Sequence, residues 1–338
     1  MVTRSGRRRP TIEDVAAEAG VSRGTVSRVL NGGHWVSADK LQAVNAAIKK
    51  TQYRVNPHAR GLVTRRSDSV AFLLTERHEL LFEDPNFSRL MRGTAEALAE
   101  RDVSLVLIMA GTPDEQRRAK EFIIAGHIDG VLLVSWHSGA RDLVNDIHLA
   151  GVPVVACGVP LGFERSLGYV AADDEEGART MTAHLRGLGR TRVETITGPP
   201  DTSGGTKRLE GYRAELGDAF DPALVAVGDY GVESGARAMA ELLERAPDLD
   251  AVFAANDLMA TGALRVLAER GRRVPEDVAV GGFDDSPVAA TASPALTTMR
   301  QPFDRVSSEM VRLLMQVIEG ERPASIVLPT DLVIRDSA

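Results

Sequence analysis

The chain has 338 residues, is 43% hydrophobic and 26% charged, and carries a formal net charge of −7. That is ordinary globular composition with length for two or three domains, and it excludes a disordered acidic protein, a fibrous repeat and a disulfide scaffold. The charge is unevenly spread: residues 1–66 hold 13 lysines and arginines against 4 acidic residues, a net of +9, which leaves −16 on residues 67–338.

A basic head on an acidic body reads as a polyanion-binding module attached to something else, with a solvated basic tail as the plain alternative. Residues 1–10, MVTRSGRRRP, form a flexible arginine-rich arm that leads into no apolar segment, so no secretory signal is expected. No apolar run reaches the ~18–20 residues of a membrane span. Cytoplasmic localisation, on the nucleoid, is the expectation.

Residues 11–55 read as three short helices. Thr11 caps the first, with Asp14 at its third position and Ile12, Val15, Ala16 and Ala19 at helical spacing. Gly20 stops it. Ser22 caps the second, which carries Val26, Val29 and Leu30 on one face and ends at Asn31-Gly32-Gly33. Ser37 opens the third, running to about Tyr53, with Leu41, Val44 and Ile48 inward and Lys40, Lys49 and Lys50 outward. Asn56-Pro57 opens a fourth, short helix. Gly61 weakens it, so residues 56–67 are a hinge that folds only when something holds it.

From residue 68 onward, strand and helix patterns alternate. Strands are expected at 69–75, 103–109, 130–135, 152–157, 193–197, 223–227, 250–254, 278–283 and 326–333. Helices are expected at 87–101, 113–126, 140–149, 176–188, 205–217, 232–245, 257–270 and 303–319. Apolar strands joined by helices mean parallel sheets covered on both faces, an α/β body. Its length, residues 68–338, implies two lobes, and the cleft between them is the default small-molecule site.

Enzyme motifs fail. Gly20-Val21-Ser22-Arg23-Gly24 matches G-x-S-x-G, but a helix rather than a strand precedes the serine. There is no phosphate-binding loop and no dinucleotide fingerprint, and the seven histidines lack zinc-ligand spacing. Cys157 is the only cysteine and sits in PVVACG, the look of a buried core thiol. No catalytic residue, metal or cofactor is expected.

The informative segment is 11–31, TIEDVAAEAGVSRGTVSRVLN: two short helices about a tight turn, the second rich in small polar and basic residues. That is helix-turn-helix architecture, whose second helix enters the major groove. Ser22, Arg23, Thr25, Ser27 and Arg28 supply donors without bulk. Arg matches guanine bidentately, and Ser and Thr suit base edges or phosphates.

This stretch resembles the headpiece of the lactose-repressor/galactose-repressor (LacI/GalR) family of transcriptional regulators, on Asp14-Val15-Ala16, Ala19-Gly20-Val21-Ser22, Thr25-Val26-Ser27-Arg28-Val29 and Asn31. The likeness continues through Val36-Ser37, Tyr53 and Asn56-Pro57 into the body: Asp173, Arg208, Gly228-Asp229-Tyr230, Ala255-Asn256-Asp257, Gly282-Phe283-Asp284-Asp285 and Arg300-Gln301-Pro302. The resemblance implies a helix-turn-helix headpiece and hinge helix on a two-lobed, periplasmic-binding-protein-like effector domain. It implies DNA contact by Thr11, Ser22, Arg23, Gly24, Thr25, Ser27, Arg28, Asn31, Tyr53, Asn56, Ala59, Arg60 and Leu62. Arg23 and Gly24 fall where operators are discriminated, and Gly24 offers one reader fewer. Leu62 falls where an apolar wedge enters the minor groove; a packing residue is the alternative.

In the body the resemblance implies an effector pocket. Arg208 grips polar groups, and Asp284 closes on it from the other lobe. Tyr230, Asn256 and Gln301 are further pocket positions, and Trp136, Phe87 and Phe303 are aromatic candidates. A structural ion pair for Arg208 and Asp284, and plain packing for the aromatics, stand as alternatives. The function implied is a dimeric repressor of sugar-utilisation genes, bound to a pseudo-palindromic operator and released by a sugar. The segments LFEDPNF and LLVSWH, with 35 arginines to 5 lysines, resemble the cellobiose-type actinobacterial branch of the family. A purine or other metabolite acting as co-repressor is the second reading, and a sugar-binding transport receptor the third. The end of the chain shortly after residues 326–333, with no leucine-heptad helix, points to a dimer rather than a tetramer.

Overall fold

The computed structural model describes residues 10–30, 35–53 and 66–338. Of the expected DNA contacts, Asn31, Asn56, Ala59, Arg60 and Leu62 lie outside the described residues, as does the expected hinge helix. Contacts divide the chain into two compact units, with the boundary between Ser67 and Asp68.

The first unit holds helices α1 (Ile12–Ala19), α2 (Arg23–Leu30) and α3 (Ala38–Thr51). Thr11 and Asp14 form a reciprocal capping box, the Thr11 amide donating to the Asp14 carboxylate at 2.7 Å. Gly20 closes α1 in the left-handed conformation at φ 65°, which glycine adopts without steric cost. The Ser22 hydroxyl accepts from the Thr25 amide at 3.2 Å and so caps α2. Val15, Ala16, Val26, Val44 and Ala47 make the core, with Ile48 and Tyr53 partly buried against it. Leu41 does not join that core. It shares a face with Val44 and Ile48, but its place on the first turn of α3 leaves it 38% exposed, and Ala47 takes the inward position instead.

The second unit contains two sheets of six strands. The first runs β2-β1-β3-β4-β5-β11, built from β1 (Ser69–Leu74), β2 (Ser104–Met109), β3 (Gly130–Val134), β4 (Val154–Cys157), β5 (Gly168–Ala172) and β11 (Ser325–Leu328), all parallel. The second repeats that order as β7-β6-β8-β9-β10-β12, from β6 (Val193–Thr197), β7 (Val225–Val227), β8 (Ala251–Ala254), β9 (Ala279–Asp284), β10 (Thr297–Arg300) and β12 (Asp331–Val333). Only β12 runs antiparallel to its neighbour in this second sheet. The expected strand 326–333 is therefore two strands in two sheets. Pro329, which has no N–H to donate, falls at the break. Strands β5 and β10 were not foreseen.

Nine of the flanking helices matter here: α4 (His78–Glu83), α5 (Pro85–Ala99), α6 (Pro113–Phe122), α7 (Arg141–Leu149), α8 (Asp174–Gly187), α9 (Ser203–Leu216), α10 (Val232–Arg245), α11 (Asp257–Glu269) and α13 (Phe303–Ile318). The short α12 (Pro287–Thr291) follows β9. Each sheet has an apolar core on both faces, as expected for buried parallel strands. In each sheet the strand order reverses, between β1 and β3 and between β6 and β8, and ligand crevices of doubly wound sheets open at that switch point. No helix among the described residues is long and apolar enough to cross a membrane.

Candidate functional site

A cavity with about 930 Å³ of empty space, counting the solvent at its mouth, lies between the carboxyl ends of the two sheets. The first lobe contributes Glu76 after β1, Asp84, Asn86 and Phe87 at the start of α5, Trp136 after β3, Cys157 at the end of β4, and Phe303 on α13. The second contributes Thr202 and Arg208 after β6, Tyr230 after β7, Asn256 after β8, Asp284 at the end of β9 and Gln301 after β10.

Arg208 is the electrostatic centre. It is buried, its Nε donates to Asp174 at 2.8 Å, and its Nη1 donates to the Ala255 carbonyl at 2.5 Å. Its guanidinium also lies 3.6 Å from Asp284 and 3.8 Å over the Phe283 ring, a desolvated cation–π contact. Asp284 accepts from Asn86 Nδ2 at 2.8 Å and from Gln301 Nε2 at 2.5 Å. Its backbone sits at φ 110°, a conformation that costs an aspartate about 1–3 kcal/mol and clusters at ligand sites.

Burial sets the protonation of this cluster. Desolvation holds the Asp284 carboxyl well above the usual range, and Arg208 pulls it back only in part. Asp84 is raised to about 6 by burial, against the opposing hydrogen bond from the Asn86 amide. Asp257, behind Asp284, is raised to about 6 by burial while accepting from Ser286 and Thr298. Burial pushes the Tyr230 hydroxyl up to about 12 and the Cys157 thiol likewise to about 12, which favours the neutral form of both. The Asn86 carbonyl oxygen is buried without a hydrogen-bond partner. An orphaned acceptor facing a crowd of carboxyls suits a neutral ligand that donates hydroxyl protons.

All eight sequence-predicted pocket residues, Phe87, Trp136, Arg208, Tyr230, Asn256, Asp284, Gln301 and Phe303, line this one cavity. Their roles differ. Asn256 caps α11 through Oδ1 and holds the Tyr230 carbonyl through Nδ2, both at 2.9 Å, so it shapes the wall. Tyr230, at φ 69°, meets Thr202 through its hydroxyl at 3.1 Å. Trp136 packs edge-on against Phe163 at 5.7 Å, and Arg89 sits over Phe303 at 4.9 Å. Sequence reasoning missed Glu76, Asp84, Asn86 and Asp174. Asp84-Pro85 reads first as a helix start, and Asp84 does cap α5, which hides its second face toward the cavity.

In the first unit, Ser22, Arg23, Gly24 and Arg28 are exposed on or beside α2, and Thr11, Thr25, Ser27 and Tyr53 are half-buried. Arg23 lies 3.5 Å from Glu13, and Arg28 Nε donates to the Gly24 carbonyl at 3.2 Å. Exposed contacts of this kind are worth 1 kcal/mol or less, on the order of what a phosphate or base edge easily displaces.

The family model for bacterial regulatory proteins of the lacI family matches residues 11–56, and that for a periplasmic binding protein-like domain matches residues 182–338. The chain is 48% identical to the HTH-type transcriptional regulator CelR of Thermobifida fusca, over 98% of this chain and 99% of that one. It belongs to the LacI family of bacterial regulatory proteins. A ribose operon repressor of Escherichia coli strain K12 is 34% identical over 91% of this chain and 93% of its own. Among solved structures, a CelR–cellobiose complex superposes with a TM-score of 0.79 at 45% identity, covering 98% of this chain and all of that one. The lac repressor dimer bound to operator and an anti-inducer gives 0.85 at 26% identity, covering 98% and 99%.

One expectation drawn from the LacI-family likeness needs correction. Asp284 does not close on Arg208 from the opposite lobe. Both belong to the lobe of the second sheet, Arg208 on α9 after β6 and Asp284 at the end of β9, strands of one sheet with β8 between them. The side chain that reaches Asp284 across the cleft is Asn86. The carboxylate that grips Arg208 most closely is Asp174, beside the helix-capping Asp173.

Proposed function

We propose that the protein is a homodimeric DNA-binding repressor of carbohydrate-utilisation genes, released from a pseudo-palindromic operator when a β-linked glucose disaccharide of the cellobiose class enters the interlobe cavity. The observation that carries the reading is the cavity's chemistry. Trp136, Phe87 and Phe303 offer aromatic faces of the kind that pack on pyranose C–H surfaces. Arg208, Asp284 and Asn86 offer charged and neutral partners for vicinal hydroxyls. The likeness to the CelR–cellobiose complex supports the same ligand class. Arg23 and Arg28 read base edges, Ser22, Thr25 and Ser27 touch phosphates or bases, and Asn56, Ala59, Arg60 and Leu62 occupy the minor groove at the operator centre. The +9 of the N-terminal region supplies phosphate neutralisation, so binding falls steeply with salt, while the acidic body is repelled by the duplex.

The test is fluorescence anisotropy on palindromic DNA from upstream of the gene, with and without cellobiose. Cellobiose should weaken operator binding by about 5–150-fold, the usual span of allosteric coupling. Failure to bind any such palindrome at low salt would remove the repressor. Unchanged or tighter operator binding with cellobiose bound would remove induction and favour co-repression.

A further inference from the structure

We propose that His137, in its charged form, is a positioning residue that clasps the two lobes together at the cavity rim, so that effector affinity falls as the pH rises. The geometry is direct. His137 follows β3 in the first lobe, and its Nε2 lies 2.6 Å from Glu76 Oε1, which lines the effector cavity. Its Nδ1 lies 3.2 Å from both carboxylate oxygens of Asp201, which precedes α9 in the second lobe. An imidazole with a carboxylate on each ring nitrogen satisfies both only when both nitrogens carry protons.

The neighbouring groups reinforce this arrangement. Ser135 donates to the same Glu76 oxygen, and Ser138 donates to Asp201 at 3.3 Å. Farther along this rim Asp229 of the second lobe lies 3.9 Å from Arg77 of the first and equally close to Arg237 of its own lobe. The charges facing His137 are therefore the two carboxylates Glu76 and Asp201, with no cation interposed among the contacts described. Its side chain is 23% exposed and that of Asp201 is 37% exposed, so the pair is partly screened but not lost in bulk water. The hydrogen bond to Glu76 and the two carboxylates lift His137 to about 8, against the opposing cost of burial.

The sign follows from which contact opening removes. Glu76 and His137 share a lobe and stay together in an open cleft, whereas Asp201 departs with the other lobe. Closure thus binds a proton more tightly, and closure is favoured below about pH 8 and loosened above it. The contact at stake is one partly exposed ion pair, so the effect on affinity is about two- to fivefold. The clasp also fixes Glu76 at the cavity wall and so sets the direction of one acceptor toward the ligand.

The experiment has a ligand-free arm and a ligand arm, both on the full-length protein. In the first, ¹³C-histidine NMR follows the His137 titration in the wild type and in Asp201→Asn. The midpoint should lie near 8 in the wild type and fall clearly in the variant. A midpoint that Asp201→Asn leaves unmoved overturns the clasp, whatever the effector. In the second arm, calorimetry measures cellobiose affinity from pH 6.5 to 9. The wild type should lose two- to fivefold, and Asp201→Asn and His137→Gln should bind with no such slope. An undiminished slope in both variants also overturns it. This second arm rests on the proposed effector. If cellobiose binds at no pH while the NMR midpoints behave as stated, the ligand assignment fails and the clasp stands.

Discussion

Replacing Arg208 with methionine removes the one cation that the buried carboxyls of the cavity share. The volume is nearly kept, so the loss is electrostatic rather than a cavity. The structure assigns Arg208 two short charged hydrogen bonds, to Asp174 and to the Ala255 carbonyl, plus its proximity to Asp284. Breaking a buried pair from one side costs about 3–5 kcal/mol, because the remaining charge is left unpaired. At roughly 2–4 °C per kcal/mol for a body of this size, the thermal midpoint should drop by about 6–20 °C at pH 7.5. The pH dependence carries the sharper test. Asp284 is already held high by burial, and Arg208 is what pulls it down. Without the arginine it is pushed further up. The variant's deficit should therefore be at least as large at pH 7.5 as at pH 5. Urea unfolding of both proteins at the two pH values measures it. A loss below about 1 kcal/mol at pH 7.5, or a deficit that grows as the pH falls to 5, refutes the assignment of Arg208 as the cluster's shared cation.

Three further substitutions probe other levels of the molecule. Glu194 on β6 is fully buried, both its carboxylate oxygens lack partners, and burial raises it to about 7. A carboxyl raised in the folded state destabilises as pH climbs from its unfolded value through 7, so Glu194→Leu should gain about 2 kcal/mol at pH 8.5 and much less at pH 5, read by urea unfolding. Gly211 on α9 is pressed against the Glu175 carbonyl of α8, where an added Cβ has no room. Gly211→Ala should cost about 1–3 kcal/mol by overpacking, and a neutral result in thermal unfolding would show that the two helices part readily. Arg28→Ala should lose about 1–3 kcal/mol on the best operator and flatten base preference at one position. Equal weakening on all DNA, in competition anisotropy, would place Arg28 on a phosphate.

The strands most legible in the sequence were the uniformly apolar ones, such as β1 and β3, whose residues are buried on both faces. GYVAA of β5 is a short run of mostly small residues and TTMR of β10 is largely polar, so neither carries the long aliphatic signal of β1 or β3. The pocket residues implied by the family likeness fall together on one cavity because each sits on a segment that leaves the carboxyl end of a strand. Asn86 and Asp174 escaped because a residue beside a helix start has a local explanation that masks a distant one. Lobe membership of Asp284 was misjudged because a pair of facing side chains says nothing about which sheet carries each.

The chain passes between the lobes of its body three times: after β5, where α8 packs on the second sheet, after β10, where α13 returns to the first, and between β11 and β12. Two of these passages are pinned side by side, the Asp173 amide donating to the Leu328 carbonyl at 2.8 Å. For recombination of genes this makes the lobes inseparable. A single crossover between β1 and β12 splits at least one sheet, and one between β6 and β11 splits both, while truncation after residue 300 would strip the first lobe of a helix and a strand although most of that lobe is encoded earlier. The boundary after Ser67 is crossed only once. New operators can be acquired by exchanging one short cassette, whereas new effectors must be reached by point substitution within an intact body.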